Sequence, residues 1–225
     1  MKERENEAVI KFVDLSFAYP SRDYVFNKLN FNFFKGERIG LVGSNGSGKT
    51  TLFHLIMGLL NPQEGKVEIF GKERKVENDF AEVRERIGLL FQDPDDQLFS
   101  PTVAEDIAFG PLNLRKNRQE TKEILKETLK TLGLAGFEDR ITYNLSYGEK
   151  RLVSLATVWA MHPEILLLDE PTIWLDEGTI EKIVRVLNSN PHLSYIIISH
   201  DKSFLKKTTN CMYEMSNGEI KIKKK

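Results

Sequence analysis

The run Gly43-Ser44-Asn45-Gly46-Ser47-Gly48-Lys49-Thr50 follows the apolar stretch Arg38-Ile39-Gly40-Leu41-Val42 and precedes a helical pattern from Thr51. Strand, glycine-rich loop and helix in that order, with G-x-x-x-x-G-K-T spacing, predict a P-loop and hence a nucleoside triphosphate with magnesium. The residue types follow from the chemistry. Successive backbone N–H groups must face phosphate oxygens, so the loop curls tightly. Gly43, Gly46 and Gly48 permit dihedrals and a close approach that a Cβ hinders. The helix that follows offers free N–H groups and the positive end of its dipole to the anion. Lys49 can reach the β- and γ-phosphates, and the Thr50 hydroxyl can ligate Mg2+. Ser44, Asn45, Ser47 and Thr51 complete the segment expected to touch the nucleotide.

The sequence on either side predicts an α/β fold. Residues 9–17 alternate apolar and polar side chains, as a half-buried strand does, and Leu29-Asn30-Phe31-Asn32-Phe33 alternates again. Lys35-Gly36-Glu37 reads as the turn after it. Residues 66–70 form a short strand and 87–91 an apolar one. Helical spacing recurs at 120–132, 146–161 and 177–187. The all-apolar runs Ile165-Leu166-Leu167-Leu168 and Tyr195-Ile196-Ile197-Ile198 suit parallel strands buried on both faces. The expected architecture is one domain over 1–225. It has a mostly parallel core sheet, an N-terminal antiparallel β subdomain and a helical subdomain inserted at about 92–161.

Two carboxylates, Asp169-Glu170, end the first of those apolar runs. Open α/β sheets collect ligand groups at the carboxyl ends of their strands, which puts this pair near the P-loop mouth. Asp169 can hold Mg2+ through water. Glu170 can polarise an attacking water, provided it lies within about 3 Å of it. The second run delivers His200-Asp201 to the same edge, where His200 could contact the γ-phosphate and the attacking water.

Composition narrows the partners. The 225 residues carry a formal net charge of -1, so overall charge gives no argument for nucleic acid. One cysteine, Cys211, excludes an intrachain disulfide and fits a reducing compartment. The opening Met1-Lys2-Glu3-Arg4-Glu5-Asn6-Glu7 has no apolar core and is not a secretory signal. No run approaches the ~18–20 apolar residues of a membrane helix, so a membrane role would need a partner. The Lys-rich end from Lys221 reads as a solvated tail.

The ordered set of motifs resembles the ABC transporter ATPases over nearly the whole chain. Gly43 to Thr50 is the P-loop, and Gln92 looks like the glutamine that touches Mg2+ and the membrane partner. Leu145-Ser146-Tyr147-Gly148-Glu149 stands at the signature position. Asp169-Glu170 is similar to the Walker B end, Leu175-Asp176 to the D-loop and His200 to the switch histidine. The resemblance implies a head-to-tail dimer, homomeric or heteromeric, with ATP between one subunit's P-loop and the other's Ser146 and Gly148. Tyr19, before Pro20, resembles the adenine-stacking aromatic, with a core or turn aromatic as the alternative. The run Phe91-Gln92-Asp93-Pro94-Asp95-Asp96-Gln97-Leu98-Phe99 and the segment after it resemble the energy-coupling-factor subgroup, which powers uptake of vitamins and of cobalt or nickel ions. That implies a peripheral ATPase on the cytoplasmic face of the membrane, docked to an integral membrane subunit near 92–109 through exposed Leu98 and Phe99.

The sequence departs from the pattern in three places. Tyr147 stands where the signature carries glycine, and Glu149 where glutamine is frequent. Ile173-Trp174 replaces small residues before the D-loop. Tyr147 either swings outward or weakens the site this signature completes. The chain also ends without the C-terminal extension of many energy-coupling ATPases. Two other functions remain open: a soluble ABC ATPase in nucleic-acid or ribosome work, and a regulatory subunit with little turnover.

Overall fold

The computed structural model describes residues 8–223. The opening Met1 to Glu7 and the last two lysines lie outside the described residues. In chain order the elements begin with β1 (Ala8–Ala18), β2 (Tyr24–Phe34), β3 (Arg38–Val42), α1 (Lys49–Ile56), β4 (Glu64–Ile69), β5 (Lys72–Glu73), α2 (Asp79–Arg86) and β6 (Ile87–Leu90). Three helices follow: α3 (Val103–Asn113), α4 (Arg118–Leu132) and α5 (Tyr147–Trp159). The chain then alternates through β7 (Ile165–Asp169), α6 (Glu177–Ser189), β8 (Ser194–Ile198) and α7 (Lys202–Thr208). It closes with the hairpin β9 (Cys211–Ser216) and β10 (Glu219–Ile222).

Two sheets form. The first is four-stranded and antiparallel, in the order β2-β1-β4-β5. The second is six-stranded, in the order β10-β9-β3-β8-β7-β6, and parallel except for the terminal hairpin. Both expected sheet types are therefore present. Alternation in β1 is broken once. Ile10 and Phe12 face the core, then Asp14 takes φ 46 and the register shifts, so that Leu15 and Phe17 are the buried pair beyond it. One extra residue in a strand swaps its faces, which is what a bulge does.

The central strands are buried on both sides for a visible reason. Ile165, Leu167, Ile196 and Ile198 pack into one apolar cluster with α1 and the antiparallel sheet. Leu166, Leu168, Tyr195 and Ile197 pack into a second with side chains of α3, α4, α5 and α6. Each fully buried aliphatic side chain contributes about 2 kcal/mol relative to exposure. Polar residues set the helix boundaries. Thr102 with Glu105, Asn117 with Glu120 and Ser146 with Glu149 form reciprocal capping boxes at the starts of α3, α4 and α5.

Three sequence expectations change. The P-loop helix begins at Lys49 rather than Thr51. Lys221 and Ile222 belong to β10, paired with Glu214 and Tyr213, and not to a solvated tail. Leu98 is half-buried against the second cluster, its N–H bonded to Pro94 O at 2.9 Å, so only Phe99 of that pair is exposed.

Candidate nucleotide site

Parallel pairing aligns the carboxyl ends of four strands. Leu41 of β3 lies beside Ile198 of β8, Asp169 of β7 beside the same Ile198, and Leu90 of β6 beside Leu168. The residues just beyond these ends open onto a cleft of about 1590 Å³. Tyr19, Ser44 to Thr51, Gln92, Asp169, Glu170 and His200 all line it. Ser146 and Gly148 do not. Gly43 sits behind the loop, where an added Cβ would lie 2.4 Å from Met215 O of β9.

Within the loop, Gly46 (φ 77) and Gly48 (φ 102) use the left-handed region that favours glycine. Lys49 Nζ folds back to donate to Gly43 O at 3.0 Å and Ser44 O at 2.9 Å. Because α1 starts at Lys49, the N–H groups of its first turn have no intrahelical acceptor and remain available to an anion. Ser47 Oγ is buried without a partner among the described residues. The Tyr19 hydroxyl bonds Thr51 Oγ1 at 3.1 Å, and its ring stands edge-on to Phe17 with centroids 5.0 Å apart. The ring is thereby anchored at the cleft rim.

Asp169 is buried and Glu170 half-buried. Asp169 is 2% exposed, and its Oδ2 accepts from Thr50 Oγ1 at 2.6 Å. Burial raises its pKa, and the Thr50 bond opposes that. Glu170 has φ 48, a conformation costing a non-glycine residue about 1–2 kcal/mol. Its N–H donates to Ile198 O at 2.9 Å. Burial also raises the Glu170 pKa, with the neighbouring His200 acting in the other direction. His200 N donates to Glu170 Oε2 at 3.4 Å, and His200 Nε2 stands 3.5 Å from Oε1. That Oε1 is buried and lacks a hydrogen-bond partner among the described residues. Lys49 is shifted down by burial, against the pull of Asp169 and Glu170.

This donor set fits magnesium. Among the described residues no cluster of three or more His, Cys, Asp or Glu side chains could hold a metal by itself. Mg2+ commonly takes only one or two protein oxygens and completes its octahedron with phosphates and water. The paired Thr50 hydroxyl and Asp169 carboxylate are hard oxygen donors at the cleft floor, and Gln92 faces the same space.

The signature segment lies apart from this cleft. Ser146 caps α5, with its N–H 2.8 Å and its Oγ 2.9 Å from Glu149 Oε2. Glu149 also pairs with Arg140 at 2.8 Å. Its charge is thus engaged within the subunit, which holds its pKa below the usual carboxylate value. Tyr147 lies edge-on to Trp174, ring centroids 6.4 Å apart, and both rings are exposed. Trp174 itself has φ 62. Asp176 caps α6 through Thr179 N at 3.0 Å.

Residues not anticipated from sequence also frame the cleft. Arg22 and Asp23 follow Tyr19 on its rim, and Asn217-Gly218 close it from the β9–β10 turn. An Asn-Gly pair between alternating stretches is a hairpin signal that the sequence did contain. Beneath the cleft, Arg151 is 1% exposed and bonded to backbone carbonyls at the ends of β6 and β7. Burial brings its pKa down to about 10, so it remains a cation at neutral pH. The sequence signal for Arg151 was a charge one turn from Leu155 on the apolar face of a helix.

Similarity to known proteins agrees with this geometry. The sequence pattern of the ABC transporter family matches residues 26–173. A putative ABC transporter ATP-binding protein of Brucella suis is 47% identical over 196 residues, spanning 87% of this chain and 81% of that protein. The energy-coupling factor transporter ATP-binding protein EcfA of Methanocaldococcus jannaschii is 42% identical over 215 residues, spanning 94% of this chain and 77% of the relative. Among solved structures, cbiO1 from Clostridium perfringens, part of the ABC transporter complex cbiONQ, superposes with a TM-score of 0.83 at 32% identity. That match covers 96% of this chain and 88% of the other. The dimeric ATP-binding cassette MJ0796, in a post-hydrolysis state bound to ADP and Pi, superposes with a TM-score of 0.86 at 25% identity over 96% of this chain and 98% of that one. The family match runs from β2 past the β7 carboxylates, and the chain accordingly belongs to the ABC transporter family as an ATP-binding cassette, with energy-coupling-factor ATPases among its relatives.

Proposed function

We propose that this cassette hydrolyses ATP to power a membrane importer of the energy-coupling-factor type, working as one half of a head-to-tail ATPase dimer. The observation that carries the reading is the pairing of the P-loop with the β7 carboxylates. Thr50 and Asp169 meet at 2.6 Å, and Glu170 Oε1 is left without a partner at the same cleft. In this reading the amides of 43–50 and Lys49 bind the β- and γ-phosphates. Tyr19 stacks on the adenine, and Ser44 to Thr51 surround the phosphates. Thr50, Asp169 and Gln92 hold Mg2+, which neutralises phosphate charge when bound. Glu170 is the general base for water, and His200 orients it and the γ-phosphate. Ser146 and Gly148, remote from this chain's own cleft, complete the partner cassette's site.

His200 gives this reading a pH test. It lowers the Glu170 pKa against burial, so removing it raises that pKa further. The acid limb of the kcat profile of His200→Ala should move to higher pH, because more alkaline solution is then needed to make the carboxylate. A limb at the wild-type position would remove His200 from contact with the base.

The membrane partner is expected on the segment after Gln92. Phe99 is 67% exposed and packs edge-on to exposed Phe109, centroids 4.8 Å apart. Buried Asp106 fixes the loop by accepting from Phe99 N at 3.1 Å and Ser100 N at 2.9 Å. An apolar pair on a rigid base, preceded in the chain by exposed Asp96, suits an apolar, basic helix of an integral membrane subunit. Among the described residues no helix is long and apolar enough to cross a membrane, so a peripheral place at the cytoplasmic face would come from that contact. Phe99→Glu with Phe109→Glu should cut co-purification with an integral membrane subunit by about 10-fold or more, since buried aromatic anchors dominate such contacts. ATP binding by the isolated cassette should persist. Unchanged recovery of the membrane subunit would sink docking at this patch.

A further inference from the structure

The ends of β6 and β7 are joined by a side chain that belongs to neither. The last paired residues of these strands are Leu90 and Leu168. Beyond them the backbones part, and this opening is where Gln92 and Glu170 reach the cleft. Arg151 of α5 spans the gap from below. Its Nη1 donates to Phe91 O and, at 3.2 Å, to Gln92 O. Its Nη2 donates to Asp169 O and, at 2.8 Å, to Glu170 O.

A buried cation is costly unless fully engaged, and an apolar side chain would fill the same space at less expense. All four acceptors here are backbone carbonyls, two on either side of the opening, and only Nε of the guanidinium lacks a partner among the described residues. A planar guanidinium fork sets the spacing between such acceptors in a way a flexible ammonium does not. The backbone of Phe91 is held from the same helix on its other side. Phe91 N donates to Gln97 Oε1 at 3.1 Å, and Gln97 Nε2 donates to Ser154 O and Thr157 Oγ1, each at 2.8 Å. Glu170, in its left-handed conformation, has its N–H tied to β8 and its C=O tied to Arg151. Arg151 does not itself line the cleft.

We propose that Arg151 is a positioning residue for hydrolysis, holding the Gln92 and Glu170 backbones in one frame so that the Glu170 carboxylate faces the bound nucleotide. The proposal rests on Glu170 acting as the base. It assigns Arg151 no contact with ATP, so its loss should slow turnover without loosening nucleotide.

The test uses the full-length chain with whatever subunits purify with it. Arg151→Lys keeps the charge and most of the stem but loses the fork. Its kcat for Mg·ATP should fall about 10- to 100-fold, the size of effect a misplacement near 1 Å produces. The calorimetric Kd for Mg·ADP should stay within about 3-fold, as expected when only transition-state interactions are lost. In a Glu170→Gln background, adding Arg151→Lys should leave the residual single-turnover rate within about 2-fold, because two residues acting through one group are not additive. Arg151→Gln, which removes the buried charge, serves as a second variant should the lysine form not fold. A kcat within about 2-fold of wild type overturns the proposal. So does an equal loss in the Glu170→Gln background, which would mark a general structural role. If Glu170→Gln turns over like wild type, the assignment of the base fails first, and that result is distinct from either of these.

Discussion

Lys49→Ala is expected to weaken ATP binding by about 100-fold, close to 3 kcal/mol, the usual loss when one member of a close charge pair is truncated. The ammonium is the only P-loop cation, and the Asp169 and Glu170 carboxylates line the cleft beside it. Without it, the negative charge on the β- and γ-phosphates would face Asp169 and Glu170 with only the magnesium ion and backbone dipoles to offset it. The fold should survive. Lys49 Nζ bonds only Gly43 O and Ser44 O, and each such bond contributes about 1 kcal/mol net. Burial already disfavours its charge, which makes its removal cheaper still. Titration calorimetry with Mg·ATP measures the effect directly. A Kd within about 2-fold of wild type would remove the loop from phosphate binding and with it the proposed function.

Glu170→Gln should separate binding from chemistry. The amide is isosteric and can still accept from His200 N, but it cannot take a proton from water. Turnover should fall about 10²- to 10⁴-fold, the range for loss of a general base. The Kd for ATP should hold, since the phosphates are gripped elsewhere. Stability has its own signature. The folded pKa of Glu170 is raised above 4.5 by burial, so its contribution is fully present below the unfolded pKa and lost as pH rises through the folded one. At neutral pH the half-buried carboxylate therefore works against the fold. Glu170→Gln should melt at the wild-type temperature or above it at neutral pH, with the gain vanishing in acid. Turnover at the wild-type rate, measured in a single-turnover assay, would exclude Glu170 as base.

The legible parts of this protein were those written in local pattern. The P-loop run, the apolar stretches of β7 and β8 and the carboxylates at the end of β7 were each readable from neighbours in the chain. So was the alternation of β1, up to the bulge at Asp14. Leu98 was misjudged because its burial depends on the second apolar cluster, most of whose members lie far from it in the chain. Glu149 stood out in the sequence only as a departure from the signature. Its engagement with Ser146 and Arg140 depends on how the α5 N-terminus folds against the loop before it. The β9–β10 hairpin was missed altogether, although its backbone accounts for the glycine at 43.

Residue order alone determined which chemistry this chain can perform, because strand, glycine loop, helix and strand-end acids are short-range signals that need no knowledge of the rest. Only the packed molecule decided where those acids point. Their backbone is held by the Glu170 N–H bonded to Ile198 O of β8 and by Arg151, which bonds carbonyls beyond two strand ends. Each of these joins segments far apart in the chain, and contacts at that range arise only when the sheets and helices close on one another.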